Sequence, residues 1–262
     1  MKFKNIYIVI LAIVLSFASC NEDTINLDPI GDTEAGFFQN EDQMTQAVLG
    51  VYQKVSFFYT FRGNNWLSGI WTLPGDNLTT QGGHGYERFI SINGNDGKLN
   101  NFYQYAYQLI ARANVILQKV EENADVAYTR QPELKDIHKG EALFLRAWMY
   151  HKLWNTYGSA APLITERIME LDNAYPPSSQ GTELLDQAIA DLAEAATLLP
   201  DSWDGSNKGR VTKNSAHALR GKILVFRGTV NDNTSDFSDA ISAFNAISGA
   251  SLMPNYRDNF DA

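Results

Sequence analysis

The chain of 262 residues has one cysteine, Cys20, and four histidines, His84, His138, His151 and His217. A single thiol forms no internal disulfide and no cysteine-based metal site. The histidines show no metal-ligand spacing with one another, and no cofactor is expected. Cations are also scarce: 21 Lys and Arg stand against 30 Asp and Glu, a formal charge of −9. That balance excludes nucleic acid or anionic lipid recognised through a basic patch. Nor is there a phosphate loop, because "GGHG" at 82–85 is followed by no Lys-Ser/Thr and preceded by no strand. "NGNDG" at 93–97 lacks the bidentate Glu of a calcium loop and reads as a turn. There is no nucleophile elbow or triad motif. A glycosidase would need two carboxylates facing each other across a cleft; the loop offers only Asp76 and Glu87, eleven residues apart, and most other acids fall where an exposed helix face explains them. The reading is therefore not an enzyme.

One apolar run breaks the pattern. Lys2 and Lys4 precede a mostly apolar stretch from Ile6 to Ala18, which closes on Ala18 and Ser19. This is the layout of a secretory signal, and it is shorter than the roughly 20 apolar residues of a membrane-spanning helix. A cysteine directly after the small residues suggests a bacterial lipoprotein signal. Residues 1–19 then read as signal peptide and Cys20 as the lipid-attachment residue; the alternative leaves Cys20 incidental. Each buried methylene contributes about 0.8 kcal/mol, and stable anchoring takes more than one acyl chain. Removing 1–19 leaves 19 basic against 30 acidic side chains, a charge of −11. Residues 20–40, with Pro29 and Gly31, read as a tether.

From residue 41 onward apolar residues return at helical spacing. In 99–122 Leu99, Phe102, Tyr103, Ala106, Leu109, Ile110, Ala113, Ile116, Leu117 and Val120 form one stripe. Between Ala142 and Trp154 apolar residues fall almost all round the wheel, which marks a helix buried between neighbours. Further helices are expected at 41–55, 181–199, 211–228 and 236–247. "FLRAWMY" around Arg146 and "ALRGKIL" around Arg220 align at an offset of 74 residues, about two tetratricopeptide periods. Ala113, Ala142, Ala147, Ala216, Gly221 and Ala240 are small enough to let helix pairs approach. Arg146 and Arg220 are each expected to pair with an acid between helices. The fold expected is all-α: stacked tetratricopeptide-like helix pairs over 41–262, with one long loop region at 56–98. A loop of that length inside a domain is usually functional or disordered, and its aromatics favour order.

Several stretches together resemble the SusD/RagB family of outer-membrane nutrient-binding lipoproteins. They are "FFQNEDQMTQAVLGVYQKV", "GEALFLRAWMYHKLWNTYGSAAPLI", "AIADLAEAATLLP", "KGRVTKNSAHALRGKILVFRG" and "LMPNYRDNF", in the family's order. The resemblance implies a lipid-anchored protein of the outer membrane that faces the cell exterior and is not an enzyme. It implies capture of glycan or peptide and hand-over to a SusC-like TonB-dependent transporter. Glu22 and Asp23 then read either as a signal for export to the outer face or as solvated linker. Family members are about twice this length, with "YRDNF" near the middle, so the chain is expected to be the N-terminal portion.

Within the resemblance, Leu73–Asp76 matches the segment leading into a sugar-facing loop. Glycan capture needs flat aromatic faces and nearby carboxylates or amides that fix hydroxyls. Asp76, Asn77, Gln81, His84 and Tyr86 have that chemistry, with Tyr86 the foremost contact, and Trp71 joins the ligand candidates. Trp66, Trp71 and Phe89 equally suit packing of the loop onto the helices. Where starch-binding relatives carry a tryptophan this chain reads Thr79–Gly82, which weakens starch as the ligand. The competing reading is a non-transport surface scaffold that binds a protein partner through its helix pairs.

Overall fold

Asp96 shows how the helices begin. Its Oδ1 accepts from the backbone amides of Lys98 (2.8 Å) and Leu99 (3.2 Å), satisfying two of the donors a helix start leaves open. Behind this cap Phe102, Ala106, Leu109, Ile110, Ala113, Ile116 and Val120 recur every one to four residues along one face, and all are buried. The computed structural model describes residues 33–34, 36–59, 67, 69–75, 78–80, 85–90, 92–251 and 253–259. Among them are six helices longer than one turn, and no strand. These are α1 (Glu41–Tyr59), α2 (Gly97–Glu122), α3 (Glu133–Tyr157), α4 (Glu183–Leu198), α5 (Lys213–Asn231) and α6 (Thr234–Asn245). None of them is long and apolar enough to cross a membrane.

The chain divides at Phe38 into two units. In the first, the described residues form a turn in which the amides of Gly36 and Phe37 donate to Thr33 O. The signal and Cys20 lie outside the described residues. The second unit, from Phe38 on, carries all six helices. Each helix packs on the next in sequence, α3 on α4 most extensively, so the unit is an all-α solenoid. As its all-round apolar pattern requires, α3 runs through the middle: Ala142, Leu143, Leu145, Ala147, Met149, Tyr150 and Leu153 are all buried.

The small residues act where expected. A Cβ on Gly221 of α5 would lie 2.6 Å from Phe244 Cε1 of α6, so only glycine lets the two helices close at this point. Two expectations need correction. α1 continues past residue 55 to Tyr59, because Phe58 is fully buried edge-on against Phe102 (5.6 Å) and Trp148 (5.8 Å). The long loop is interrupted by two single helical turns, Gly69–Thr72 and Gly85–Arg88.

Four acids are exceptions to the exposed-face reading. Glu41, Glu141, Asp191 and Asp236 are buried, each on an arginine: Arg130, Arg210, Arg146 and Arg227. Glu141 on α3 takes both Nε (2.8 Å) and Nη2 (2.5 Å) of Arg210, and accepts the Tyr52 hydroxyl of α1 at 2.8 Å. That arrangement ties the connection before α5 to two earlier helices. Arg146 thus meets its acid as expected. Arg220 does not: it makes no ion pair among the described residues, and its Nε is buried without a partner.

Candidate functional site

The stretch between α1 and α2 is held from inside. Leu67, Ile70 and Leu73, three residues apart, are buried and set the Gly69–Thr72 turn onto the core. Trp71, on that turn, packs against Phe102 (5.4 Å, 62°), Tyr59 (6.4 Å) and Phe58 (6.5 Å). Lys152 of α3 places its Nζ 4.6 Å from the Trp71 ring centre, a cation–π contact. Burial, with Lys222 nearby, pulls that amine down to about 8. Trp71 thus joins loop to helices, and its ring is half-buried.

The second turn is clamped twice. Glu87 accepts from Thr79 Oγ1 (2.5 Å), Thr80 Oγ1 (2.9 Å) and the Thr80 amide (3.1 Å). Tyr86 is 3% exposed, and its hydroxyl donates to Asp96 Oδ1 at 2.6 Å, the oxygen that caps α2. Burial and the Asp96 carboxylate push the phenol upward. For Asp96 burial acts to raise the carboxyl, but the Tyr86 hydroxyl and the Leu99 and Lys98 amides outweigh it, and the net shift is down. Gly85 is required at this turn, since a Cβ there would lie 2.8 Å from Ile90 O.

Of the sequence-derived site residues, Tyr86 and Trp71 are therefore interior supports of the loop, with Tyr86 engaged on Asp96. Asp76, Asn77, Gln81 and His84 lie outside the described residues, as does Trp66. Phe89 does not pack the loop: with φ 52° it stands 69% exposed. Leu78, Ile90 and Ile92 are also exposed. No group of three or more His, Cys, Asp or Glu among the described residues is placed to hold a metal ion.

A cavity of about 560 Å³ opens along α2, between Tyr103, Tyr107 and Val115 on one side and Pro162, Ile168 and Tyr175 on the other. This size lies within the usual range of small-molecule sites. Its far wall, the segment after α3, is held carbonyl by carbonyl. The Tyr107 hydroxyl donates to Pro162 O (2.7 Å), Tyr150 to Ile164 O (2.7 Å), and Asn114 Nδ2 to Ile164 O (2.9 Å) and Glu166 O (3.0 Å). Arg146 Nη1 reaches Thr165 O and Asn114 Oδ1, both at 2.8 Å. The signal that could have disclosed the wall is an Asn and an Arg at buried helix positions, each needing several partners. A connection rich in backbone carbonyls supplies them.

Residues 74–225, more than half of the chain, match the SusD-like family described as "Starch-binding associating with outer membrane". A SusD-like protein of Bacteroides ovatus is 25% identical over 98% of this chain and 47% of its own length. SusD-like protein P25 of Formosa agariphila is 26% identical over 100% of this chain and 49% of its own. The chain thus spans about half the length of the curated relatives it matches. Among solved structures, a SusD homolog from Bacteroides thetaiotaomicron superposes with TM-score 0.73 at 21% identity, covering 87% of this chain and 45% of that one. A laminarin-binding SusD-like protein superposes with TM-score 0.67 at 24% identity, covering 85% and 48%. These likenesses show the fold.

Proposed function

The chain belongs to the SusD-like family, whose members are non-catalytic binding proteins, and from that premise we propose that it captures glycan or oligosaccharide at the cell surface. In this reading Cys20 carries the lipid that holds it to the outer membrane, facing outward, and residues 20–40 are the tether. The helix pairs α2/α3 and α4/α5 are the tetratricopeptide-like units, and α6 opens the next one. The captured glycan passes to a SusC-like TonB-dependent transporter.

The observation that carries the reading is the double clamp beside the sugar-facing segment. Thr79 and Thr80 are fixed to Glu87, and Tyr86 is fixed to the α2 cap. A frame fixed at Thr79, Thr80 and Tyr86 has less freedom to lose on binding, which favours affinity. Asp76, Asn77, Gln81 and His84 supply the groups that fix hydroxyls. Trp71 and Tyr86 hold the loop from below, and the exposed Phe89 ring adds a flat face beside it. The charge of the chain, −9, favours neutral over anionic glycans. For the protein partner, α6 presents Phe237, Ile241 and Phe244 at 37, 60 and 42% exposure. They are spaced four and three apart on one helix face.

The test is affinity electrophoresis of the full chain through gels containing laminarin, starch, xylan or galactomannan. Retardation by at least one of them is the expected result. Migration unchanged in all four would count against glycan capture and favour the scaffold reading.

A further inference from the structure

The groove along α2 has no part in the loop site described above, and its surroundings point to a ligand. Tyr103, Tyr107, Ala111 and Val115 follow one another at four-residue steps, which places them in a row on one helix face. At 1.5 Å per residue that row runs about 18 Å. Opposite it, Tyr175 is 87% exposed beside Pro176, so a flat ring stands in solvent at the rim. Glu166 and Arg167, of opposite charge and adjacent in sequence, line the same groove.

We infer that this groove is an extension subsite for a glycan chain, continuing from the loop site along α2, and that it sets a preference for longer oligosaccharides. The inference rests on the capture reading.

Continuity is the first argument. Asp96, which receives the Tyr86 hydroxyl, lies seven residues before Tyr103, two helical turns along the same face. Tyr157 spans the interval: its hydroxyl donates to Leu99 O (2.7 Å) and its ring meets Tyr103 edge-on at 5.6 Å. A chain leaving the loop along α2 therefore meets Tyr103 first.

Chemistry is the second. Ring faces suit the C–H surfaces of pyranoses, while tyrosine hydroxyls, a carboxylate and a guanidinium suit their hydroxyls. A purely aliphatic ligand would bury the Glu166 carboxylate against apolar surface. A peptide read through its main chain would pair with a sheet edge, and no strand exists among the described residues. Rigidity is the third: the far wall is fixed through Asn114 and Arg146, so the groove is pre-formed.

The test uses two full-length variants at exposed positions, Tyr175→Ala and Ala111→Arg, the second filling the groove. Both should melt at the wild-type temperature, because exposed substitutions have little effect on stability. Oligosaccharide ladders are prepared from whichever of laminarin, starch, xylan or galactomannan retains the wild type. Affinity for the longest members should fall about tenfold in each variant, with the disaccharide unaffected. Wild-type retention with no change in length preference in either variant would overturn the subsite and leave glycan capture standing. Retention of a proline-rich peptide by the wild type but not by Ala111→Arg, with the ladder unchanged, would assign the groove to peptide and also overturn it. A wild type that no polysaccharide retains would overturn capture and subsite together.

Discussion

Arg146 of α3 and Asp191 of α4 face each other in a buried bidentate pair, Nε and Nη2 each 2.8 Å from one carboxylate oxygen. Their side chains are 6% and 3% exposed. The same guanidinium holds Thr165 O and Asn114, so one ion pair joins α2, α3 and α4 to the groove wall.

Replacing one partner leaves a buried charge unmatched. Arg146→Leu should lower unfolding free energy by about 3–5 kcal/mol, while Arg146→Leu with Asp191→Leu should lose less than the single variant. Urea unfolding midpoints of the three proteins check this. A double variant less stable than the single one would refute the account of the pair.

Stability should depend on acid through two buried imidazoles. His138 lies between Thr45 Oγ1 and the Tyr128 hydroxyl, each at 3.1 Å, and burial with Arg210 nearby lowers it to about 4. His151, edge-on to Phe226, is lowered to about 4 by burial, Lys152 and Lys222. In the unfolded chain both titrate near 6.5. Unfolding therefore takes up protons below that value, and stability, full above pH 6.5, falls as pH drops towards 4. Each imidazole contributes on the order of 3 kcal/mol to the fall. Glu41, held at about 2 by its own amide and by Arg130 and Gln131 against the effect of burial, extends the loss from pH 4.5 downward. Denaturation curves between pH 7.5 and 4 measure the slope, and His151→Phe should flatten it.

Gly221→Ala should destabilise by about 1–3 kcal/mol, because the new methyl meets Phe244 at 2.6 Å. Phe244→Leu in the same chain should restore part of the loss. Thermal melts of the single and double variants decide it.

Tyr86→Phe keeps the buried ring and removes the bond to Asp96. The expected cost is about 1–2 kcal/mol, with α2 intact because Asp96 still accepts two amides. Unchanged stability with weakened glycan binding would make Tyr86 a ligand contact instead.

The fold was legible because its helices carry strong periodicity and end at local signals. The 99–122 stripe and the all-round pattern of α3 both translate directly into burial. What stayed hidden depended on tertiary partners. Glu141 and Asp191 read as surface acids because nothing local shows that Arg210, 69 residues on, or Arg146, 45 residues back, will neutralise them. Arg220 misled in the opposite direction: its apolar neighbours implied an acid that is not found among the described residues. At the candidate site, Tyr86 has the right chemistry for a sugar, but nothing local shows that its ring will be buried and its hydroxyl engaged by Asp96, ten residues on. The groove was legible only through Asn114 and Arg146, buried polar residues that need several partners, because its far wall is irregular chain and periodicity carries no information there.

Glycan capture by the loop is the central claim, and calorimetric titration of Asp76→Ala/His84→Ala beside the wild type tests it most directly. The titrant is the polysaccharide that retards the wild type in affinity gels. The account predicts a loss of affinity of at least tenfold, about 1.4 kcal/mol, with unchanged melting temperature. Binding by the double variant at wild-type strength would contradict it and place the glycan away from this loop.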